Sequence, residues 1–205
     1  MLRTAETLLA EPQQTRSVER RRTLLDAART LFREKGYEAT SIGDITSRAG
    51  TASGAFYSYF RSKRQILVIL INELVQRLSS VDLRPKGAAA NVRTGLRRSL
   101  AEVFRADLDY FGVIRAWQEA TLTDPELSAM HDEIESWTRG RILRVFQSLH
   151  EHPGSRSDRD LPAFARMMDR HFWSLLARGA GMTRRELDRE IAIAADVIDH
   201  YLFRD

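Results

Sequence analysis

SIGDITSRAGTASGAFYSYFRSKRQ, residues 41–65, spells two short helices, the turn between them and the opening of a longer helix. Ser41 stands just before Ile42 and three residues ahead of Asp44, so its hydroxyl suits an N-cap while the carboxylate meets the positive helix end. From there a helix is expected as far as Ala49. Gly50 and Thr51 make a brief turn, with Ala49 and Gly50 small enough to let two helices approach, and a further short helix follows to about Tyr59. Ser62 and Gln65 have the capping-box spacing. They open a helix whose apolar face is Ile66, Leu67, Leu70, Leu74 and Leu78, long enough to bridge two lobes.

Upstream, from Val18, Leu24, Leu25, Ala28, Leu31 and Phe32 recur at helical spacing, and Gly36 after Lys35 supplies the left-handed residue that stops a helix. Two short helices joined by a glycine-containing turn and packed on a longer first one form the helix-turn-helix arrangement. Ile45 and Phe56 would anchor the pair to the first helix through Leu31 and Phe32. That leaves the second short helix free to enter a major groove ~12 Å wide. The same spacing also serves plain packing units. Residues 1–16, with Pro12 and no sustained periodicity, read as a mobile arm whose Arg3 and Arg16 are candidates to touch DNA.

Charge favours the first of these options. Residues 1–65 carry 12 Lys and Arg against 7 Asp and Glu, while residues 66–205 carry 20 against 21, so the net +4 is concentrated at one end. A confined basic patch is what a module that meets phosphates needs, and a solvated basic face is the alternative. The 205 residues, 43% of them hydrophobic, are enough to bury a core. With no cysteine, disulfides, thiolate metal sites and cysteine nucleophiles are excluded, and a cytoplasmic home is expected. No stretch approaches the roughly 20 apolar residues of a membrane span, and Met1–Gln14 lacks the apolar core of a signal peptide.

Downstream the helical pattern continues. A Pro/Gly loop at 81–87 leads to a helix with Val92, Leu96, Leu100, Val103, Phe104 and Leu108; another, after Gly112, holds Val113, Ile114, Trp117 and Leu122. Asp124 and Pro125 open a long helix with proline at its first position. A loop at 152–160 precedes a helix from Leu161 to about Gly179. Thr183 with Glu186 caps a last helix carrying Leu187, Ile191, Ala194, Ala195, Ile198 and Leu202. About nine helices and no period-two strand pattern predict an all-α chain. Its expected parts are the arm at 1–16, a three-helix DNA-binding domain at 17–65, and an effector-binding and dimerisation domain at 66–205.

LLDAARTLFREKGYEATSIGDI at 24–45, then Ala49 and Gly50, GAFYSYF at 54–60, and Ser62 and Lys63, closely resembles the DNA-binding domain of the TetR/AcrR family, without a gap over about residues 18–67. The resemblance implies a three-helix DNA-binding head, a larger helical effector domain and a homodimer formed through the last two helices. It implies phosphate contacts from Thr40 or Ser41, Tyr57, Tyr59 and Lys63, which hold register. It also implies base contacts from Arg48, Thr51, Ala52, Ser53 and Ala55. Where relatives commonly have Val-Ser-x-Gly-Thr, this chain has Thr51, Ala52, Ser53, Gly54 and Ala55, so a cap serine and a phosphate-binding hydroxyl are missing. Thr51 is expected to cap instead, and base readout to lean on thymine methyl contacts and on shape. A core position for Tyr57 and a solvated turn position for Lys63 are the alternatives.

In the second half, Phe111, Trp117, Gln118, Met130, Trp137, Met168, Asp169, Phe172 and Trp173 are candidate pocket residues, with Glu119 and His171 as further polar anchors. Aromatics and methionines at helical spacing serve equally as plain core. The segment Arg115–Gln118 and the stretch from Leu161 resemble the EthR-type branch of the family, whose pockets take elongated lipophilic molecules; a small apolar ligand is expected. The broad apolar faces of the last two helices, including Phe164, Leu175, Leu176, Leu187, Ile191, Ile198 and Leu202, are expected to pair with a two-fold mate, or else to close the core of one chain. Two heads ~34–36 Å apart would match a palindromic operator, and ligand would change that separation by tilting the fourth helix.

An enzyme reading finds little support. His131, His150, His152, His171 and His200 are scattered, and no phosphate loop, nucleophile elbow or paired-carboxylate motif stands out. No cofactor or metal is expected. The nearer rival is a dimeric DNA-binding protein with no effector. The expected function is a DNA-binding transcriptional regulator, read as a repressor, that binds a palindromic operator as a homodimer and is released by a small lipophilic ligand.

Overall fold

The computed structural model describes residues 15–80, 92–106, 110–179 and 181–203. Among these residues lie nine helices: α1 (Thr15–Lys35), α2 (Ile42–Arg48), α3 (Ser53–Phe56), α4 (Lys63–Ser80), α5 (Val92–Ala106), α6 (Phe111–Thr121), α7 (Pro125–His150), α8 (Leu161–Gly179) and α9 (Arg184–Leu202). The only departure from helix and loop among them is an isolated bridge between Ser155 and Phe203. The all-α expectation holds. The arm at 1–14, the 81–87 loop and Leu108 lie outside the described residues, whereas Thr15 and Arg16 begin α1 instead of ending an arm.

Local chemistry sets most helix ends. Gly36 stops α1 at φ +85°, a conformation that costs glycine no Cβ clash. Ser41 and Thr183 form complete capping boxes with Asp44 and Glu186. Ser62 Oγ accepts from the Gln65 amide at 3.1 Å, but the Gln65 side chain accepts from the Arg61 amide at 2.7 Å, one residue earlier than a capping box places it. Asp124 caps α7 through the amides of Glu126 and Leu127.

The chain divides into two compact units: residues 1–77 with 109–130, and residues 78–108 with 131–205. The unit that contains the helix-turn-helix is thus larger than 17–65, because α6 and the start of α7 group with it. Its core joins Leu24, Ala28, Leu31 and Phe32 of α1 to Ile45, Phe56, Phe60, Ile66 and Leu67, and to Val113, Ile114 and Trp117 of α6. α6 presses on α1 so closely that a Cβ on Gly112 would lie 2.4 Å from the Arg33 Cα. Tyr110 fills the same unit, its hydroxyl donating to Glu73 at 2.9 Å and its ring flanked by the guanidinium groups of Arg29 and Arg77.

In the second unit Leu96 of α5, Phe146 and Leu149 of α7, Phe164, Ala165 and Met168 of α8, and Ala194, Ala195, Ile198 and Leu202 of α9 form one cluster. Phe164 stacks between Phe146 and Tyr201, its ring 3.9 Å from the tyrosine ring. No helix among the described residues is long and apolar enough to cross a membrane.

Candidate nucleic-acid interface and effector region

α2 and α3 sit on α1 because their inward residues are apolar and their turn is short. Ile45, Phe56, Leu31 and Phe32 are all buried, as the spacing predicts. Gly50 carries the turn at φ +62°, yet an added Cβ there would meet nothing within 4 Å. The turn therefore requires glycine for backbone conformation, and the close approach expected of Gly50 is not what selects it. α3 is four residues long and ends at Phe56; the Ser58 and Tyr59 amides continue as single turns to Ala55 and Phe56. Its N-cap is Ala52, which has no side-chain bond to offer. Thr51 does not cap it, contrary to expectation: the Thr51 hydroxyl is buried with no hydrogen-bond partner.

The proposed DNA contacts fall in different environments. Ala52, Ser53, Gly54 and Tyr57 are exposed, Tyr57 by 60%, so the core alternative for this tyrosine fails. Ala55 and Thr51 are half-buried. Ser41 is exposed at the start of α2. Thr40, named beside it, is 1% exposed and its hydroxyl donates to the Gly36 carbonyl at 2.6 Å. Thr40 is therefore a brace of the α1–α2 turn with no free hydroxyl at the surface. Tyr59 is half-buried, with its phenol oxygen accepting from Ser17 at 3.3 Å. Arg48 is exposed but forked onto Glu34 at 2.9 and 2.7 Å.

Lys63 is neither free nor fully solvated. Its Nζ donates to the Tyr37 carbonyl at 2.7 Å and lies 4.1 Å from the centre of the Tyr37 ring. Burial pushes its pKa down, against the nearby carboxylates of Glu38 and Glu119. Lys35 pairs with Asp44 at 2.7 Å and, with the Ser41 cap, holds that carboxyl well below the usual range. The Arg64 guanidinium grips Asp124 at 2.6 Å and Glu126 at 2.6 Å, and those two acids raise its pKa.

Glu119 is the residue sequence reasoning misassigned. Named as a pocket anchor, its carboxylate instead accepts from the backbone amides of Tyr37 at 2.8 Å and Glu38 at 3.0 Å. It occupies the space a Gly36 side chain would need, 2.8 Å from an ideal Cβ. Nothing in the sequence marks this pairing, which joins residues about eighty positions apart.

The nine pocket candidates divide between the units. Phe111, Trp117, Gln118 and Met130 belong to the first, where Phe111 and Trp117 are wholly buried. Trp137, Met168, Asp169, Phe172 and Trp173 belong to the second; Phe172 meets Phe104 edge-on at 5.6 Å, and Trp173 meets His131. A cavity of about 590 Å³ in the second unit is lined by Arg97, Arg98, Ala101, Glu102, Asp188 and Ile191, none of them pocket candidates.

The dimer residues need correction. Phe164, Leu175, Leu187, Ile191, Ile198 and Leu202 are all 4% exposed or less within one chain, and Leu176 is 9%. They close the chain's own core, so they have no apolar surface left for a mate. The apolar residues that α8 and α9 leave in solvent are Met167, Ile193 and Val197. Ile193 and Val197 lie one turn apart on α9, on a different stripe from the buried set.

Residues 24–68 match the family model described as bacterial regulatory proteins, tetR family. The Transposon Tn10 TetC protein of Escherichia coli is 36% identical over 91 residues, 43% of this chain and 42% of that protein. The HTH-type transcriptional regulator EthR of Mycolicibacterium smegmatis is 29% identical over 109 residues, 53% of this chain and 50% of its own. The chain spans about a third to a half of the length of the curated relatives it matches. Among solved structures, a SmeT–triclosan complex superposes with a TM-score of 0.67 over 91% of this chain and 93% of that one, at 22% identity, a likeness of fold. Family model and relatives agree over the first part of the chain: residues 24–68 match the tetR family of bacterial regulatory proteins, and the helices among the described residues share the fold of the SmeT structure.

Proposed function

We propose that the chain is a DNA-binding transcriptional repressor that pairs as a homodimer on a palindromic operator and is released by a small lipophilic ligand. The observation that carries the reading is the seating of α2 and α3 on α1. Ile45 and Phe56 take the buried sides, and Ala52, Ser53, Gly54 and Tyr57 stand together in solvent. On this reading Ala52 and Ser53 lead α3 into the major groove, where a methyl and a small hydroxyl meet base edges. Ser41, Tyr57, Tyr59 and Lys63 lie along the phosphates, helped by the exposed arginines Arg20 and Arg22 of α1. Arg48 reaches a base only by leaving Glu34, which makes it a conditional reader.

The second copy docks on the large apolar residues that α9 and α8 leave exposed, Ile193 and Val197 one turn apart on α9 and Met167 on α8. A small effector is supported by the triclosan bound in the SmeT complex of similar fold. The test is selection from a library of random duplexes with the purified protein. A palindrome with half-sites one helical turn, or a multiple of it, apart is expected. No enriched sequence after repeated rounds overturns the proposal.

A further inference from the structure

The second unit contains a carboxylate that folding leaves half-satisfied. Asp169 of α8 is 2% exposed. Its Oδ1 accepts from the Thr138 hydroxyl of α7 at 2.6 Å, while its Oδ2 is buried with no hydrogen-bond partner. Buried polar atoms without partners are rare and call for an explanation, a bound group being one.

The surrounding groups select what kind of group completes it. His131, Glu135 and Thr138 are spaced four and three apart and share one face of α7. His131 Nε2 lies 3.4 Å from Glu135 Oε1. The imidazole stands edge-on to the Trp173 ring at 5.0 Å, and Trp173 is one turn beyond Asp169 on α8. A second carboxylate and an indole therefore accompany Asp169. Two arginines act on it through space, but Arg139 donates its Nε to the Glu135 carbonyl and Arg170 is exposed, and neither bonds Oδ2. No group of three or more acidic or histidine side chains among the described residues is placed to hold a metal ion.

We infer that Asp169 Oδ2 anchors a protonated amine, so that the effector is an apolar small molecule with an ammonium head held by Asp169 and neighboured by Glu135 and Trp173. An N–H donor with positive charge satisfies the orphaned oxygen and its charge together, which a neutral alcohol does only in part and a carboxylate cannot. The indole adds attraction for the same charge. This assignment rests on the effector reading proposed above and names the chemistry of the ligand.

The test is calorimetric titration of the full chain with primary alkylamines of four to ten carbons and phenethylamine, each beside its matched alcohol and carboxylate. Amines are expected to bind at least tenfold more tightly than matched alcohols, and Asp169→Asn to remove that preference while keeping the helical circular dichroism. Should Asp169→Asn fail to fold, Glu135→Gln gives the second reading, with amine affinity expected to fall about threefold. Equal binding of amines and alcohols, no amine binding at millimolar concentration, or amine affinity unchanged in the variant that folds overturns the inference. The same titrations with operator DNA present separate the two readings. Amines that bind through Asp169 but release no DNA refute the effector role and leave the site standing. Alcohols that release DNA as well as amines do leave the effector role standing and refute the site.

Discussion

Replacing Gly112 by alanine tests the packing of the unit that contains the helix-turn-helix. The new Cβ would lie 2.4 Å from both the Cα and the Cβ of Arg33 and 2.9 Å from its Cγ. Carbon atoms rest at about 3.5–4.0 Å, so α1 and α6 must part by more than ~1 Å. Two of the three obstructing atoms are rigidly tied to the α1 backbone, so no rotamer change clears them. Overpacking of this kind costs about 1–3 kcal/mol, occasionally more. The better helix propensity of alanine returns about 0.5–1 kcal/mol. The net loss is therefore about 2 kcal/mol at the upper end of that range, or ~4–8 °C in Tm for a chain of this size. Gly140 in α7 is the control: an added Cβ meets only the tip of Arg144 at 3.6 Å, so Gly140→Ala should raise Tm by a few degrees. Thermal unfolding followed by circular dichroism reads both. Equal Tm for the two variants would refute the close approach of α6 to α1.

Other perturbations follow from particular contacts. Glu119→Ala leaves the Tyr37 and Glu38 amides without their acceptor, a loss of about 1–3 kcal/mol, and should speed hydrogen exchange at those two amides; unchanged exchange contradicts the bracing role. Ile193→Asp should convert a dimer to monomers in light scattering without unfolding the chain, because Ile193 is 50% exposed, and a persistent dimer contradicts docking through Ile193. Asp169 has its carboxyl pushed up to about 6 by burial, from 3.8 when unfolded, so the fold binds its proton more tightly than the open chain does. That stabilising contribution is complete below about pH 4 and is lost as pH rises through about 6, a span of about 3 kcal/mol. The stability of the natural chain minus that of Asp169→Asn, from urea unfolding, should fall across this window; a flat difference contradicts it. The depressed carboxyl of Asp124 acts in the opposite direction and cancels in that difference.

The helix-turn-helix was legible because its signals are local. Ser41 with Asp44 and Gly36 after Lys35 act within three residues, Ile45 and Phe56 lie in neighbouring short helices, and the structure uses all of them. What was misread depended on distant partners. Periodicity marks α8 and α9 as broadly apolar, but it cannot say whether Leu187 and Ile198 meet the same chain or another; both are buried within this chain, Ile198 in a cluster with Leu96 of α5 and Phe146 and Leu149 of α7. Thr40 and Ser41 look equivalent in sequence, and only the fold turns one inward to Gly36 and leaves the other exposed. Glu119 looked like a pocket polar group because nothing near it predicts two unpaired amides across the unit. The aromatic set could not be parsed for the same reason: Trp117 is core of one unit, whereas Trp173 lies in the other beside an unsatisfied acid.

Sequence-specific DNA binding through α2 and α3 has a thermodynamic signature in both sequence preference and salt dependence. Fluorescence anisotropy of the selected duplex and of a scrambled duplex, titrated across a series of salt concentrations, tests it most directly. A preference of about 10³ or more for the selected sequence is expected, with an affinity that falls linearly in log–log coordinates with salt at a slope of about −0.9 for each phosphate neutralised. Lys63→Ala should shallow that slope by about one for both duplexes alike. Equal affinity for the two duplexes, or binding indifferent to salt, contradicts it.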